Sequence, residues 1–557
     1  MFRPEIGVTA FLNDQDGNSW PCLFKHLQSD FVVQEILDGG KVCEITAEPQ
    51  IYTASEANVE NVPAISIDPP AKFTEEMKKQ LAEFRGSKDL EFSINVQDWS
   101  KDERRDLHVY IRSVGGMDST TKGNEIEISR LGSTRKRRRT EAFQKSYVHF
   151  TLAKMDHDTA YAINILGKFL NKNANSFGYC GTKDRRAITA QRVSLFKVEP
   201  NQLYKLNARL RGLKISDAKF EDENLALGMA CGNRFSIALR EFNGDISDDQ
   251  LRKRINDWEN DGFLNYYGDQ RFGTWNTTTA QIGQKILQRD WQGTVALILK
   301  PIGGSDTQLN AALLKYQETK DAAQALVLVP GTLRSTTTEG KILTYLSTKP
   351  KNFKNSLISI PRNVRSLYVH AYQSLVFNKI VSKRAEKYGK QVIDGDLFMV
   401  NGEVVEKGLV EDVVLPLPYF PSKFPENEVK DWYMEILEQD GVSKEVFLEL
   451  KGEFALAESL RKYIEKPRNV NYKLSWYAAP DTIVHNFPPF SETKADEVSE
   501  KPTEKFRKAL LIQFDLNSGT YATVSLRELL HLDIGKENQR QLSLQVRNGA
   551  NKKGEEI

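Results

Sequence analysis

A strand-forming run, Ala509 to Phe514, returns near the end of a chain whose middle, residues 265–466, is helix-rich and rich in lysine. The start is strand-forming too: Asp30-Phe31-Val32-Val33-Gln34-Glu35-Ile36 is β-branched and aromatic and runs into an Asp-Gly-Gly turn. Strand, helix and strand again come in blocks rather than in alternation. At 557 residues the chain also exceeds one ordinary domain of roughly 100–200 residues. No internal repeat is visible, so a solenoid is excluded.

Each block has its own character. His149-Phe150-Thr151-Leu152 reads as a strand, Asp158-Thr159 can cap the helix after it, and Ala162, Leu166 and Phe169 recur at helical spacing. SFGYCGTKDRRAITAQRVSLF has strand–turn–strand composition, and Phe235-Ser236-Ile237-Ala238-Leu239 is a further strand. In the middle block, Val369, Tyr372, Val376 and Ile380 form the apolar stripe of a helix beginning near Leu367. VVLPLPYFPSKFP reads as a rigid, Pro-bearing loop followed by two amphipathic helices. Residues 491–505 are polar and suit a flexible excursion; a helix is expected from Tyr521 onward. Residues 51–145 match neither flank. They hold a Pro-containing loop, a charged helix from Phe73 to Phe84, a small strand-plus-helix pattern and the run Arg135-Lys136-Arg137-Arg138-Arg139, and read as an inserted accessory module.

Lys and Arg number 77 and Asp and Glu 75, a formal charge of +2, so only the local distribution can point to a polyanionic partner. With 40% hydrophobic residues, 35 Gly, 20 Pro and four cysteines, the chain is not collagen-like, wholly disordered or a disulfide scaffold. Cys22, Cys43, Cys180 and Cys231 stand singly and the histidines form no HExxH or HxH pattern, so no metal site is expected. The opening residues lack the apolar core of a signal peptide, and no run of about 18 apolar residues occurs. The expectation is a soluble intracellular protein with reduced thiols and no membrane partner.

Two strings could carry chemistry. In Gly181-Thr182-Lys183-Asp184-Arg185-Arg186-Ala187 one carboxylate sits among three cations on a Gly-opened turn. Such cations favour the charged form of a carboxylate and offer donors to phosphates. A solvated hairpin tip has the same composition. It is not a phosphate loop, which needs GxxxxGK[ST] ahead of a helix. In Asn265-Tyr266-Tyr267-Gly268-Asp269-Gln270-Arg271-Phe272-Gly273-Thr274, aromatics alternate with residues that can read base edges, as single-stranded RNA recognition requires. A turn packed by its own aromatics, with Arg271 in a salt bridge, would read the same way.

The two strings occur in order, with LFKHLQSDFVVQEI before them and YVHAYQSLVFNKIVSKR and FDLNSGTYATVSLREL after. Together they resemble the TruD family of RNA pseudouridine synthases, in its longer, multisubstrate eukaryotic branch. The resemblance covers most of the chain and is weakest over residues 51–145, 300–360 and 440–505. GTKDRxAxT and NYxGxQRFG are specific as a pair. The resemblance implies an α+β fold whose catalytic domain, a mixed and mainly antiparallel bent sheet, is discontinuous over 1–50, 146–264 and 467–557. An α/β TRUD domain would be inserted at 265–466 and a small eukaryotic-type insertion at 51–145.

By the same resemblance, Asp184 matches the family's essential aspartate. The implied reaction breaks the N1–C1′ bond of uridine, turns the uracil in place and joins C5 to C1′, with no redox change, metal or organic cofactor. The carboxylate either attacks C1′ or acts as a base at C2′. Lys25 takes the family's basic position, although alone it reads as a surface lysine. Tyr521 matches the base-stacking aromatic, and Asn233 and Phe235 the GNxF segment, where Phe235 also reads as an inward strand residue. Further substrate contacts are expected from Lys183, Arg185, Arg186, Asn265, Gln270, Arg271 and Phe272. Arg135, Lys136, Arg137, Arg138 and Arg139 would contact the RNA backbone or direct nuclear import.

The implied enzyme is an isomerase, a monomer that needs no guide RNA. Its partners would be tRNA, at position 13 of the D stem, and pre-tRNA, small nuclear RNA and mRNA, in the nucleus and also the cytoplasm. The alternative is an RNA-binding or RNA-folding protein that keeps the fold without turnover; the intact GTKDRRA string speaks against it. A nucleotide-dependent enzyme would need a P-loop or GxGxxG motif, and neither is present. Two stretches depart from the family: LPLPYF lacks Gly after its second Pro, and Leu456-Ala457-Glu458-Ser459-Leu460-Arg461 stands where relatives carry Ser-Gly-Ala-Tyr-Arg.

Overall fold

The computed structural model describes residues 2–13, 18–46, 69–70, 72–86, 91–114, 117–130, 147–242, 246–273, 277–303, 307–420, 422–494, 496–501, 506–535 and 538–544. The early strand-forming run becomes β1 (Phe31–Ile36). The accessory module supplies β2 (Glu91–Asn95), β3 (Met117–Lys122) and β4 (Glu125–Arg130). Then come β5 (Tyr147–Met155), β6 (Phe177–Tyr179), β7 (Ile188–Phe196), β8 (Leu213–Glu221) and β9 (Gly232–Arg240), with the short β10 (Phe263–Leu264) after them. The middle block holds β11 (Leu397–Val400), β12 (Glu403–Val405), β13 (Val413–Pro416) and β14 (Leu460–Lys462). Last are β15 (Ile464–Glu465), β16 (Arg468–Tyr477), β17 (Val498–Ser499) and β18 (Arg507–Asn517).

One large sheet runs in the order β17-β16-β18-β9-β1-β7-β5-β8, with β6 added on β7. Only β1 and β7 pair in parallel; the sheet is otherwise antiparallel. The late strand is not an edge. β18 lies between β16 and β9, matched from Ala509 opposite Arg240 to Asn517 opposite Gly232.

Period-two alternation explains how this sheet is covered. Phe235, Ile237 and Leu239 of β9 join Phe514 and Ile512 of β18 and Trp258 of the helix Asp248–Asp261 in one apolar core. The intervening Ala238 packs on the other face with Tyr477, Ala509 and Leu511. A second cluster sets Phe150, Leu152, Val193 and Leu195 against Ala162, Ile163 and Leu166 of the helix Thr159–Leu170. Asp158 caps that helix by accepting from Tyr161 N. Phe169, expected on the same apolar stripe, is instead 45% exposed, and Leu170 beside it is the residue of the last turn that packs on this core.

β10 and β15 are paired, Phe263 opposite Glu465 and Leu264 opposite Ile464, so the chain enters and leaves residues 265–463 at adjacent points. Between them lies the longest helix, Arg362–Tyr388. It starts ahead of the expected Leu367, directly after Pro361, and its first turns already set Val364 and Tyr368 against the core. Val369, Tyr372, Val376 and Ile380 are fully buried. The same apolar core continues from Phe235 and Phe514 through these residues, so the inserted stretch is fused to the sheet rather than strung beside it.

Three local readings are corrected. Val413-Val414-Leu415-Pro416 is a strand paired with β11 and β14, as its β-branched run would favour, and only the residues after it are loop. The second amphipathic helix is two short turns, Val446–Glu449 and Lys451–Phe454, parted at Leu450. Within 491–505, Val498 and Ser499 bridge to Tyr477 and Trp476 of β16, which gives that polar stretch a fixed point. The accessory module has its own three-stranded sheet, ordered β2-β4-β3, and its own core of Leu81, Phe84, Ile94, Leu107, Ile111, Ile126 and Ile128. Arg135 to Arg139 lie outside the described residues. Among the described residues no helix is long and apolar enough to cross a membrane, and no group of His, Cys, Asp and Glu could hold a metal ion.

Candidate active site

Asp184 sits on the turn between β6 and β7, its side chain 48% exposed. Buried polar groups hold the turn from below. Lys154, the one charged side chain of β5 besides the titratable His149, is fully buried, and its Nζ donates to the carbonyls of His157 (2.6 Å), Lys183 (3.1 Å) and Asp184 (3.0 Å). Thr159 Oγ1 accepts from Lys183 N at 2.8 Å and donates to Gln191 Oε1 at 2.7 Å, while Gln191 Nε2 donates to the Gly181 carbonyl at 2.9 Å. Burial pushes the Lys154 ammonium down to about 8, against the opposing pull of Asp158 and Asp184. The ammonium is kept because it is the donor that these three carbonyls share.

Lys183 turns inward. Its Nζ is 2.8 Å from Glu35 Oε1 on β1, and Glu35 is fully buried with its other oxygen accepting from Arg192 N. The lysine expected to face RNA therefore ties the turn to the parallel strand pair. Arg185 stays exposed, its Nε within 3.4 Å of Asp156, and Arg186 is exposed as well.

Lys25 comes from the turn ahead of β1. Its backbone is left-handed, φ 56°, a conformation that costs a non-glycine residue and needs support. Asp30 gives that support: Oδ2 accepts from Leu27 N at 2.7 Å, and both oxygens pair with Arg240 at 2.7 and 2.8 Å in a fully buried ion pair. Lys25 Nζ lies 3.7 Å from the Phe31 ring centroid and 3.6 Å from Asp184 Oδ2. Phe235 is core, stacked on Phe514 and leaning on Phe31, so it supports the floor beneath Lys25 rather than lining the opening.

The third wall is the turn Gly268–Phe272. Gln270 is exposed and donates from Nε2 to Asp184 Oδ2 at 2.8 Å. Two residues earlier, Gly268 lies under Tyr521: a Cβ there would sit 2.9 Å from the tyrosine ring. One short turn therefore touches both the carboxylate and the aromatic. Tyr521 precedes the helix Ala522–Leu530, is half-buried, and meets Tyr267 edge-on at 6.2 Å. Its phenol is pushed up by burial, opposed by Arg271 and Arg461.

Arg461, within the stretch that departs from the family pattern, holds this wall together. Its Nε donates to the Asn265 carbonyl (2.9 Å), Nη2 to Asn265 Oδ1 (2.6 Å) and Nη1 to the Gly519 carbonyl (2.8 Å). Its guanidinium lies 4.2 Å from the Tyr267 ring centroid. Asn265 is thus buried and engaged with Arg461 and Lys462, and Phe272 is 1% exposed; both face the protein, not the opening. Arg271 is half-buried and donates to Ser374 Oγ at 3.2 Å. Asn233 is half-buried on β9, opposite Glu35 and Leu516, with Oδ1 buried and without a partner among the described residues.

Asp184, Lys25, Gln270 and, through Gly268, Tyr521 are brought together. Lys154, Glu35 and Arg461 were not anticipated. A lone charged residue inside an apolar strand, as in HFTLAKM or FVVQEI, was the available sign for the first two.

A family model described as tRNA pseudouridine synthase D (TruD) matches residues 124–529. The Homo sapiens pseudouridylate synthase 7 homolog is 33% identical, over 98% of this chain and 83% of its own length. The multisubstrate pseudouridine synthase 7 of Schizosaccharomyces pombe is 26% identical, over 97% of this chain and 92% of its own. A solved TruD structure from Methanosarcina mazei shares the fold with a TM-score of 0.56 over 95% of this chain and 98% of that one, at 18% identity.

Proposed function

Since the chain belongs to the TruD family of pseudouridine synthases, we propose that it isomerises uridine with Asp184 as the reacting carboxylate, at position 13 of tRNA and in pre-tRNA, small nuclear RNA and mRNA. It works as a monomer without a guide RNA. The observation that carries this reading is the arrangement at Asp184: an accessible carboxylate on a turn pinned by buried donors, with Lys25 and Gln270 on one of its oxygens. The breadth of substrate is supported by the multisubstrate relative in Schizosaccharomyces pombe.

The isomerisation breaks one C–N bond and makes one C–C bond; C5 loses a proton and N1 of the turned ring gains one. An ionised Asp184 oxygen starts it, by bonding to C1′ or by taking the C2′ proton. Lys25 balances the carboxylate charge as the base displaces water. The target nucleotide must leave its stack, at a cost of a few kcal/mol, and the Tyr521 ring offers a replacement surface. Asn233, half-buried on β9, carries both a donor and an acceptor suited to the uracil edge.

The test is incubation with unmodified tRNA transcripts and detection of pseudouridine by carbodiimide-blocked reverse transcription. Asp184→Ala is expected to abolish product while RNA affinity stays within a few fold. Product formed equally by the variant would sink the assignment. Absence of product from the wild type on any RNA pool would favour the RNA-binding alternative.

A further inference from the structure

Two donors reach Asp184, and both approach the same atom: Gln270 Nε2 at 2.8 Å and Lys25 Nζ, at its shortest, at 3.6 Å from Oδ2. Among the described residues no hydrogen bond reaches Oδ1. An ionised carboxylate only accepts, which fixes the Gln270 amide with its NH2 group toward Asp184. The neighbours of Gln270 are committed elsewhere. Asp269 pairs with Arg3 at 2.9 Å, Arg271 donates to Ser374, and Phe272 is buried in the core. Anchored on both sides, the turn presents Gln270 alone to the carboxylate.

We infer that Gln270 is a positioning residue: together with Lys25 it occupies Oδ2, orients the carboxylate and leaves Oδ1 as the oxygen that reacts with the ribose. Gln270 stands at the entry to the inserted stretch, and Arg271 beside it is bonded to Ser374 of the helix Arg362–Tyr388. The orientation of the reacting carboxylate therefore depends on how that stretch is seated on the sheet. The assignment rests on Asp184 being the reacting group, and it adds a role that spacing alone would give to RNA contact.

Two substitutions test it, both at an exposed position. Gln270→Met keeps the length and removes the donor. The single-turnover rate at saturating RNA is expected to fall about tenfold, the scale of a lost hydrogen bond to a charged group, with the RNA Kd within about twofold. Gln270→Glu sets a second carboxylate against Asp184, and like charges favour the protonated form. The acid limb of the rate–pH profile should then move up by about one unit, with the rate restored toward higher pH. The other charges near this carboxylate are Lys25, Lys154 under its backbone, Lys183 paired with Glu35, Arg185 with Asp156, Arg186, and Asp269 with Arg3. These are unchanged in both variants.

A Gln270→Met enzyme with a full rate at saturation and a raised Kd would place Gln270 on the RNA and overturn the inference. A Gln270→Glu acid limb coincident with the wild type would overturn it as well. Either result leaves the Asp184 assignment intact if Asp184→Ala is still inactive, so the two can fail separately.

Discussion

The turn carrying Asp184 and the turn carrying Gln270 meet at one carboxylate but are fixed by different forces. The first is held from inside the sheet by charge: Lys154 under three carbonyls, Lys183 on buried Glu35, and Thr159 and Gln191 closing the remaining gaps. The second is held from the inserted stretch by Arg461 stacked on Tyr267, Asn265 beneath it and Phe272 in the apolar core. A charge cage inside a protein breaks all at once, because removing one member strands the others unpaired. A stacked guanidinium can be weakened by degrees. The site thus pairs a stiff carboxylate carrier with a partner wall that yields more readily.

The largest expected effect is on the stiff side. Lys154→Met leaves three carbonyls without their donor and should cost about 2–4 kcal/mol in urea unfolding, with at least a tenfold drop in single-turnover rate. A pH series sharpens this. The folded pKa of Lys154, about 8, lies below the ordinary lysine value, so between about pH 8 and 10.5 the unfolded chain binds more protons and this group's contribution to stability rises with pH. The wild-type curve should climb relative to Lys154→Met across that window by up to about 1.4 kcal/mol per pH unit. Parallel curves would remove the buried ammonium from the account.

On the yielding side, Arg461→Lys keeps the charge but loses the fork that reaches Asn265 and Gly519 together. A loss of about 1–2 kcal/mol is expected. The KM for RNA should rise more than kcat falls, because the aromatic wall loosens while the cage is untouched. Equal losses for Arg461→Lys and Lys154→Met would dissolve the contrast between the two sides. The smallest effect belongs to the exposed rim. Replacing Arg185 and Arg186 with Ala should lower the slope of log Kd against log salt by about 1 for each phosphate contact removed, with chemistry at saturating RNA unchanged.

The parts of this arrangement that were legible are those with a local cause. The β1, β9 and β18 runs, the Asp158 cap and the helix after Tyr521 follow from β-branching, side-chain capping and periodicity within a few residues. Lys154 and Glu35 stayed hidden because a single charge in a strand looks like a solvent-facing position until both faces of the sheet are known to be covered. Phe272 and Asn265 were expected to face RNA because an aromatic-rich turn has the same composition whether its rings point out or in. The contact between Gln270 and Asp184 joins residues 86 apart, a separation on which local spacing is silent. Resemblance bridged part of that distance, by placing Asp184, Lys25 and Tyr521 in one site.

The position of β18 has a consequence in time. A ribosome makes β9 long before it makes the strand that pairs along its full length, and β18 ends at Asn517, just ahead of Tyr521. Until then the growing chain carries an unpaired β9 edge through synthesis of the whole helical middle, an exposure that invites aberrant pairing. Arrival of the last strand pairs that edge and brings Tyr521 to the site in one step, so a chain truncated before β18 lacks both the strand that covers β9 and the aromatic that faces Gly268.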